Sequence, residues 1–158
     1  MKLSADLLRI VLLAAVTLGV AGCGGSQDAE EGHGHGGHGH EPKYGGQLVE
    51  LGKHEGNLEI VVDVPAGKLT AYVLDAHAEN FVRLPLESIT VMVTSGEGEK
   101  TLTLTPVGNP ATGEKPGDTS QFAGTADWLK NVASFKATVR ELPVKSKTFQ
   151  NVQFSWPH

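Results

Sequence analysis

Leu58-Glu59-Ile60-Val61-Val62-Asp63-Val64-Pro65-Ala66-Gly67-Lys68-Leu69-Thr70-Ala71-Tyr72-Val73-Leu74 reads as two antiparallel strands and the turn between them. Leu58, Ile60, Val62 and Val64 alternate with Glu59 and Asp63, and a period of two sends the two sets to opposite faces of a strand. Such a strand is half-buried, with one polar face toward solvent. Pro65-Ala66-Gly67 supplies the turn, proline by fixing φ and glycine by accepting positive φ. The return run, Leu69 to Leu74, lacks a charged alternate and is expected to be buried on both sides.

The same period continues downstream. Ile89, Val91 and Val93 alternate; Ser95-Gly96-Glu97-Gly98 is a turn; Leu102 and Leu104 then alternate with threonines. Residues 109–118 form a Gly/Pro-rich loop, Phe122 sits in a short strand, and residues 125–131 read as one helical turn with Thr125 as N-cap. Phe135, Ala137 and Val139 make another strand. Beyond a turn at Pro143-Val144-Lys145-Ser146 the chain closes with Val152, Phe154 and Trp156 on one face. Seven or eight short strands with turns every eight to twelve residues or so predict an all-β fold: a single immunoglobulin-like β-sandwich over residues 47–158, with a barrel as the alternative. Parallel α/β architecture is excluded, because its crossovers need helices. Trp128 and Trp156 are expected to anchor the core.

Upstream, the composition changes twice. Met1 to Arg9 is a weakly basic start, and the apolar run from Ile10 to Val20 is far shorter than the roughly 20 residues of a membrane-spanning helix. It ends in Val20-Ala21-Gly22-Cys23, which resembles the lipobox of bacterial lipoprotein precursors. Residues 1–22 are therefore expected to be an export signal, and Cys23 the lipidation site. Cys23 is the only cysteine of the 158 residues, so no intramolecular disulfide, no Cys-based zinc knuckle and no thiol redox pair can form. The formal charge is −5, and losing Lys2, Arg9 and Asp6 with the signal takes it to −5 − 1 = −6. An acidic chain without basic clusters is expected to bind no nucleic acid. Residues 23–46 read as the acylated cysteine and a flexible Gly/His-rich linker, with too few apolar side chains to offset the entropy of ordering.

That linker holds the most unusual chemistry, His33-Gly34-His35-Gly36-Gly37-His38-Gly39-His40. Residues i and i+2 of an extended chain point the same way, so each His-X-His pair can chelate one ion, and the glycines between them let both pairs reach it. Imidazole suits Zn²⁺, Cu²⁺ and Ni²⁺. Fixing eight flexible residues costs on the order of 8–16 kcal/mol of backbone entropy, so weak, multi-mode binding is expected. Outside the tract, Asp75, His77 and Glu79 follow a strand end and could offer a second set of nitrogen and oxygen ligands. His54 falls in a turn, and His158 ends the chain. No G-x-S-x-G, H-E-x-x-H or phosphate-binding loop occurs, and no catalytic residue is assigned; the chain is not expected to be an enzyme.

Tyr44-Gly45-Gly46-Gln47-Leu48-Val49-Glu50-Leu51-Gly52, Asn57-Leu58-Glu59-Ile60-Val61 and Leu69-Thr70-Ala71-Tyr72-Val73-Leu74-Asp75 resemble small His-rich bacterial envelope lipoproteins. They are also similar to segments of periplasmic adaptor proteins of heavy-metal efflux systems. The resemblance spans roughly residues 40–95 and implies an envelope β-domain with a metal connection and no enzymatic role. Anchor, tract and resemblance together give the expectation of a metal-handling accessory lipoprotein of the cell envelope. In an organism with two membranes it would sit on the outer membrane, facing the periplasm. A membrane, a divalent transition metal and an envelope protein are its expected partners. The alternative is a non-catalytic envelope interaction module with the histidine tract as a mere tether.

Overall fold

A computed structural model describes residues 40–158; the expected signal 1–22, the expected lipidation site Cys23, and His33, His35 and His38 lie outside the described residues. Among the described residues eight strands form: β1 (Gln47–Leu51), β2 (Gly56–Asp63), β3 (Lys68–Leu74), β4 (Ile89–Ser95), β5 (Gly98–Val107), β6 (Gln121–Thr125), β7 (Phe135–Val144) and β8 (Lys147–Trp156). All are antiparallel to their neighbours, in the order β1-β2-β3-β6-β5-β4-β7-β8. The all-β expectation holds.

A continuous hydrogen-bonded order becomes a sandwich because β5 serves two partners. Its first part pairs with β4, through Leu104↔Ile89, and its end pairs with β6, through Thr105↔Ala123 to Val107↔Gln121. With β1 set aside, β2-β3-β6-β5 faces β4-β7-β8, which is the A-B-E-D and C-F-G pairing of the immunoglobulin fold. The strand β1 extends the first sheet by one. Near its start, Gln47 lines a surface depression together with Gln153, Phe154 and Ser155 of β8, so the two outermost strands approach each other.

The core follows the period of two. Leu58 and Ile60, Leu69, Ala71 and Val73, Ile89, Val91 and Val93, Leu102 and Leu104, and Phe135, Ala137 and Val139 all point inward and are buried, with Phe122 and Phe154 among them. The return strand β3 is buried on both faces from Leu69 to Ala71, as its run of residues implies. Trp128 and Trp156 pack against the margin of this core.

Three local readings need correcting. The turn near residue 125 is a 3-10 helix, Asp127–Asn131, capped by Ala126 without a side-chain bond. Thr125 cannot cap it because β6 holds it in register with Lys68. Pro143 lies inside β7 rather than in a turn, and Leu142 and Val144 beside it are buried. Proline is tolerated there because β4 pairs with β7 only from Lys136 to Val139, leaving no neighbour on that side to need the missing N–H. Finally, the polar face of β2 is not open to solvent. Asp63 is exposed, but Asn57 and Glu59 are 4% and 0% exposed.

Candidate functional site

What covers that polar face is the end of the Gly/His-rich linker. The backbone N–H groups of Lys43, Tyr44 and Gly46 donate to the Glu59 carboxylate at 2.9, 2.7 and 3.0 Å. Glycine is required at 46, since a Cβ there would run into the carbonyl oxygen of Ile60. Tyr44 stacks on Tyr72 at 4.1 Å between ring centroids, with Phe81 at 6.1 Å from Tyr44. Tyr72 is the cross-strand partner of Glu59. Burial first, then Tyr44 and Glu59 nearby, push the Tyr72 phenol above its usual range. Residues 43–46, which composition places in the linker, are thus fastened to the domain.

Two residues along the same face of β2, Asn57 performs the matching task for a different segment. Its side-chain amide donates to the carbonyls of Asp75 and Ala76 at 2.9 and 3.0 Å, fixing the loop that leaves β3. That loop is closed by Asp75, whose two oxygens accept from Glu79 N at 2.9 Å and Asn80 Nδ2 at 2.7 Å. Its slight burial works to raise the carboxyl, but the bonds from Asn80, Glu79 and His77 outweigh this and hold it below its usual range. Across β2, Asn57 pairs with Glu50 of β1. Glu50 accepts the backbone N–H of His54 at 2.7 Å and lies 3.5 Å from its Nδ1. His54 holds a left-handed φ of 54° in this turn, a conformation that histidine tolerates better than most residues.

These three attachments bring together three histidines from separate parts of the chain. The His40 ring lies 5.9 Å from that of His54 and 5.7 Å from that of His77, edge to face in both cases. The His54 side chain is 73% exposed, His77 is exposed and His40 is half-buried, so the group opens to solvent. Two imidazoles sharing one ion at about 2.0–2.1 Å per nitrogen hold their ring centroids roughly 5–6 Å apart. The separation of His40 from each of its two neighbours is of that size, although the ring nitrogens do not face one point: among the described residues no three His, Cys, Asp or Glu side chains have their donors converged as around an ion.

Of the residues singled out from sequence, His40 and His77 meet here. Asp75 is taken up in closing its loop, and Glu79 contributes its backbone N–H to that loop. His54 belongs to the group although sequence gave it no role; His158 lies beyond β8. The signal for His54 was available in the strand order. Three consecutive antiparallel strands put the first turn and the exit of the third strand at the same end of the sheet.

A second polar group lies in the loop between β5 and β6. Glu114 is buried and accepts from Ser120 N and Oγ at 2.9 and 2.6 Å and from Thr112 Oγ1 at 2.8 Å, with Arg83 Nε at 3.8 Å. Burial raises this carboxyl, but the bonds from Ser120 and Thr112 and the charge of Arg83 together hold it below its usual range. Every oxygen of Glu114 is engaged in closing its own loop. No protein-family model, no curated protein and no solved structure matches the chain.

Proposed function

We propose that the chain is a lipid-anchored, extracytoplasmic accessory protein that captures a divalent transition metal, Zn²⁺, Cu²⁺ or Ni²⁺, through His33, His35, His38 and His40. The observation that carries this reading is the doubled His-X-His tract that begins ten residues after the cysteine of a lipobox-like sequence. Acyl chains on Cys23 would hold the protein at a bilayer, on the periplasmic side of the outer membrane where there are two membranes. The acidic net charge favours cations near the surface. Support also comes from the docking of residues 43–46, which keeps the end of the tract against the β-domain.

Calorimetric titration of the mature chain with Zn²⁺, Cu²⁺ and Ni²⁺ tests it. Binding is expected at neutral pH and is expected to fail below about pH 6, where imidazoles protonate. Unchanged binding after substitution of all four tract histidines by alanine would refute it. A second reading, an envelope interaction module with the tract as tether, is favoured by the aromatic patch beside the lead-in, where Tyr44 is 51% and Phe81 39% exposed. An identified envelope partner held equally well with and without chelator, and lost on Tyr44→Ser, would support that reading instead.

A further inference from the structure

We infer that His40, His54 and His77 form a three-imidazole site on the folded domain, which takes a single divalent ion of the Zn²⁺ or Cu²⁺ class with a water in the fourth position. The inference deepens the metal-handling reading and rests on it, but it names a different place. The tract chelates with residues on a glycine-rich chain, whereas this site uses one tract residue and two ligands from turns of the β-sandwich.

The His40 ring lies 5.9 and 5.7 Å from its two neighbours, within the separation that rings bound to a common ion adopt. Such a site needs rotation about the side-chain torsions to turn the nitrogens inward, and the exposure of His54 and His77 leaves room for it. The backbones that carry His54 and His77 are already fixed, and His40 lies three residues before an anchored segment. Glu50 holds the turn of His54, Asn57 and Asp75 hold the loop of His77, and Glu59 holds the segment that follows His40. A metal arriving here orders side chains rather than a whole stretch of chain, so this site should bind more tightly than the tract. Glu50 stands 3.5 Å from His54 Nδ1, placed to accept a hydrogen bond from that nitrogen and leave Nε2 for the ion, the usual carboxylate–histidine–metal arrangement. Three nitrogens without sulfur suit Zn²⁺, Cu²⁺ and Ni²⁺ and do not favour Cu⁺.

The site predicts a property the tract lacks. An ion that bridges two turns of the domain binds only the folded state and must raise its melting temperature; an ion held by the tract alone leaves that temperature unchanged. The test uses full-length mature protein in three forms: unaltered, with His33→Ala, His35→Ala and His38→Ala, and with His54→Asn and His77→Gln. Asparagine is chosen at 54 because it accepts the left-handed φ there. Each is titrated with Zn²⁺ by calorimetry and melted with and without the metal, and the imidazole nitrogen resonances of His54 and His77 are followed by NMR. The expected result is one tight equivalent and a rise of several degrees in the unaltered chain and in the tract variant, with additional weaker binding in the unaltered chain alone. The His54/His77 variant should melt normally without metal, lose the rise, and bind at least tenfold more weakly.

An unchanged metal-induced rise in the His54/His77 variant overturns the site while leaving tract capture standing. So does metal binding with no shift of the His54 and His77 resonances in the unaltered chain, a readout that needs no variant to fold. If the tract variant binds as the unaltered chain does, the folded site stands and tract capture is the reading that fails. Absence of any binding by the unaltered chain refutes both.

Discussion

Two buried glutamates show how one device serves different ends in this molecule. Glu59 and Glu114 each accept three hydrogen bonds at 2.6–3.0 Å. Glu114 takes them from Thr112 and Ser120, two and six residues away, and so staples its own loop. Glu59 takes them from backbone N–H groups thirteen to sixteen residues earlier. Its donors belong to a segment with few side chains to pack, Tyr44 on Tyr72 being the exception. The first carboxylate perfects a loop; the second recruits a piece of linker to the domain.

The largest effect should therefore come from Glu59→Ala. Three donors lose their shared acceptor and the buried face of β2 opens. Hydrogen bonds to a charged acceptor are worth about 1.5–3 kcal/mol each, but a released lead-in is rehydrated, so a loss of about 2–3 kcal/mol in urea unfolding is expected. The sharper signature is local: amide exchange at Lys43, Tyr44 and Gly46 should accelerate far more than exchange in the core strands. Gly46→Ala provides the control, because it evicts the same segment by collision with Ile60 while keeping the carboxylate. It should reproduce the exchange pattern at a cost of about 1–3 kcal/mol. Retained protection at those amides in both variants would break the comparison.

Glu114→Gln should cost less, about 1–2 kcal/mol, since the amide keeps one accepting oxygen and gives up only the charge-assisted part. It also has a pH signature. The folded carboxyl lies below the 4.5 of an ordinary glutamate, so its contribution is complete above pH 4.5 and is lost as pH falls through the folded value. Urea midpoints measured from neutral pH downward should fall less steeply below pH 4.5 in Glu114→Gln than in the unaltered protein. Parallel acid limbs would show that the loop does not depend on the charge.

The sandwich was legible because alternation alone assigns Leu58, Ile60, Val91, Val93, Leu102 and Leu104 to one interior, and the turn spacing yields the strand number. Legibility ended where a residue's environment comes from the backbone of another segment. A period of two states that Asn57 and Glu59 share a face, but it does not say what lies over that face. Residues 43–46 cover it mainly with N–H groups, which leave no hydrophobic trace in a sequence. Leu142 and Val144 were hidden for a different reason: Pro143 between them signals a turn wherever the neighbouring strand cannot be foreseen. The group of His40, His54 and His77 stands between these cases. The topology that brings its turns together could be deduced from three consecutive strands, while the attachment of His40 to them depends on Glu59.

The smallest effect belongs to the aromatic layer over the lead-in, and it bears on whether Glu59 acts alone in holding that segment. The Tyr72 phenol is raised above 10.0, by burial first and then by Tyr44 and Glu59. A raised folded value contributes stability that is complete below pH 10.0 and is lost as pH climbs through the folded value. Tyr44→Leu removes the stacked ring at 4.1 Å and one of the three causes of the shift. Ultraviolet titration should then find the Tyr72 phenol moved back toward 10.0, with a stability loss of about 0.5–1.5 kcal/mol for the stacked pair. Amide protection at Lys43 and Gly46 should survive, because their bonds to Glu59 do not involve the ring. If that protection vanishes with the ring, stacking rather than the carboxylate fastens the linker, and the contrast between the two glutamates loses its basis.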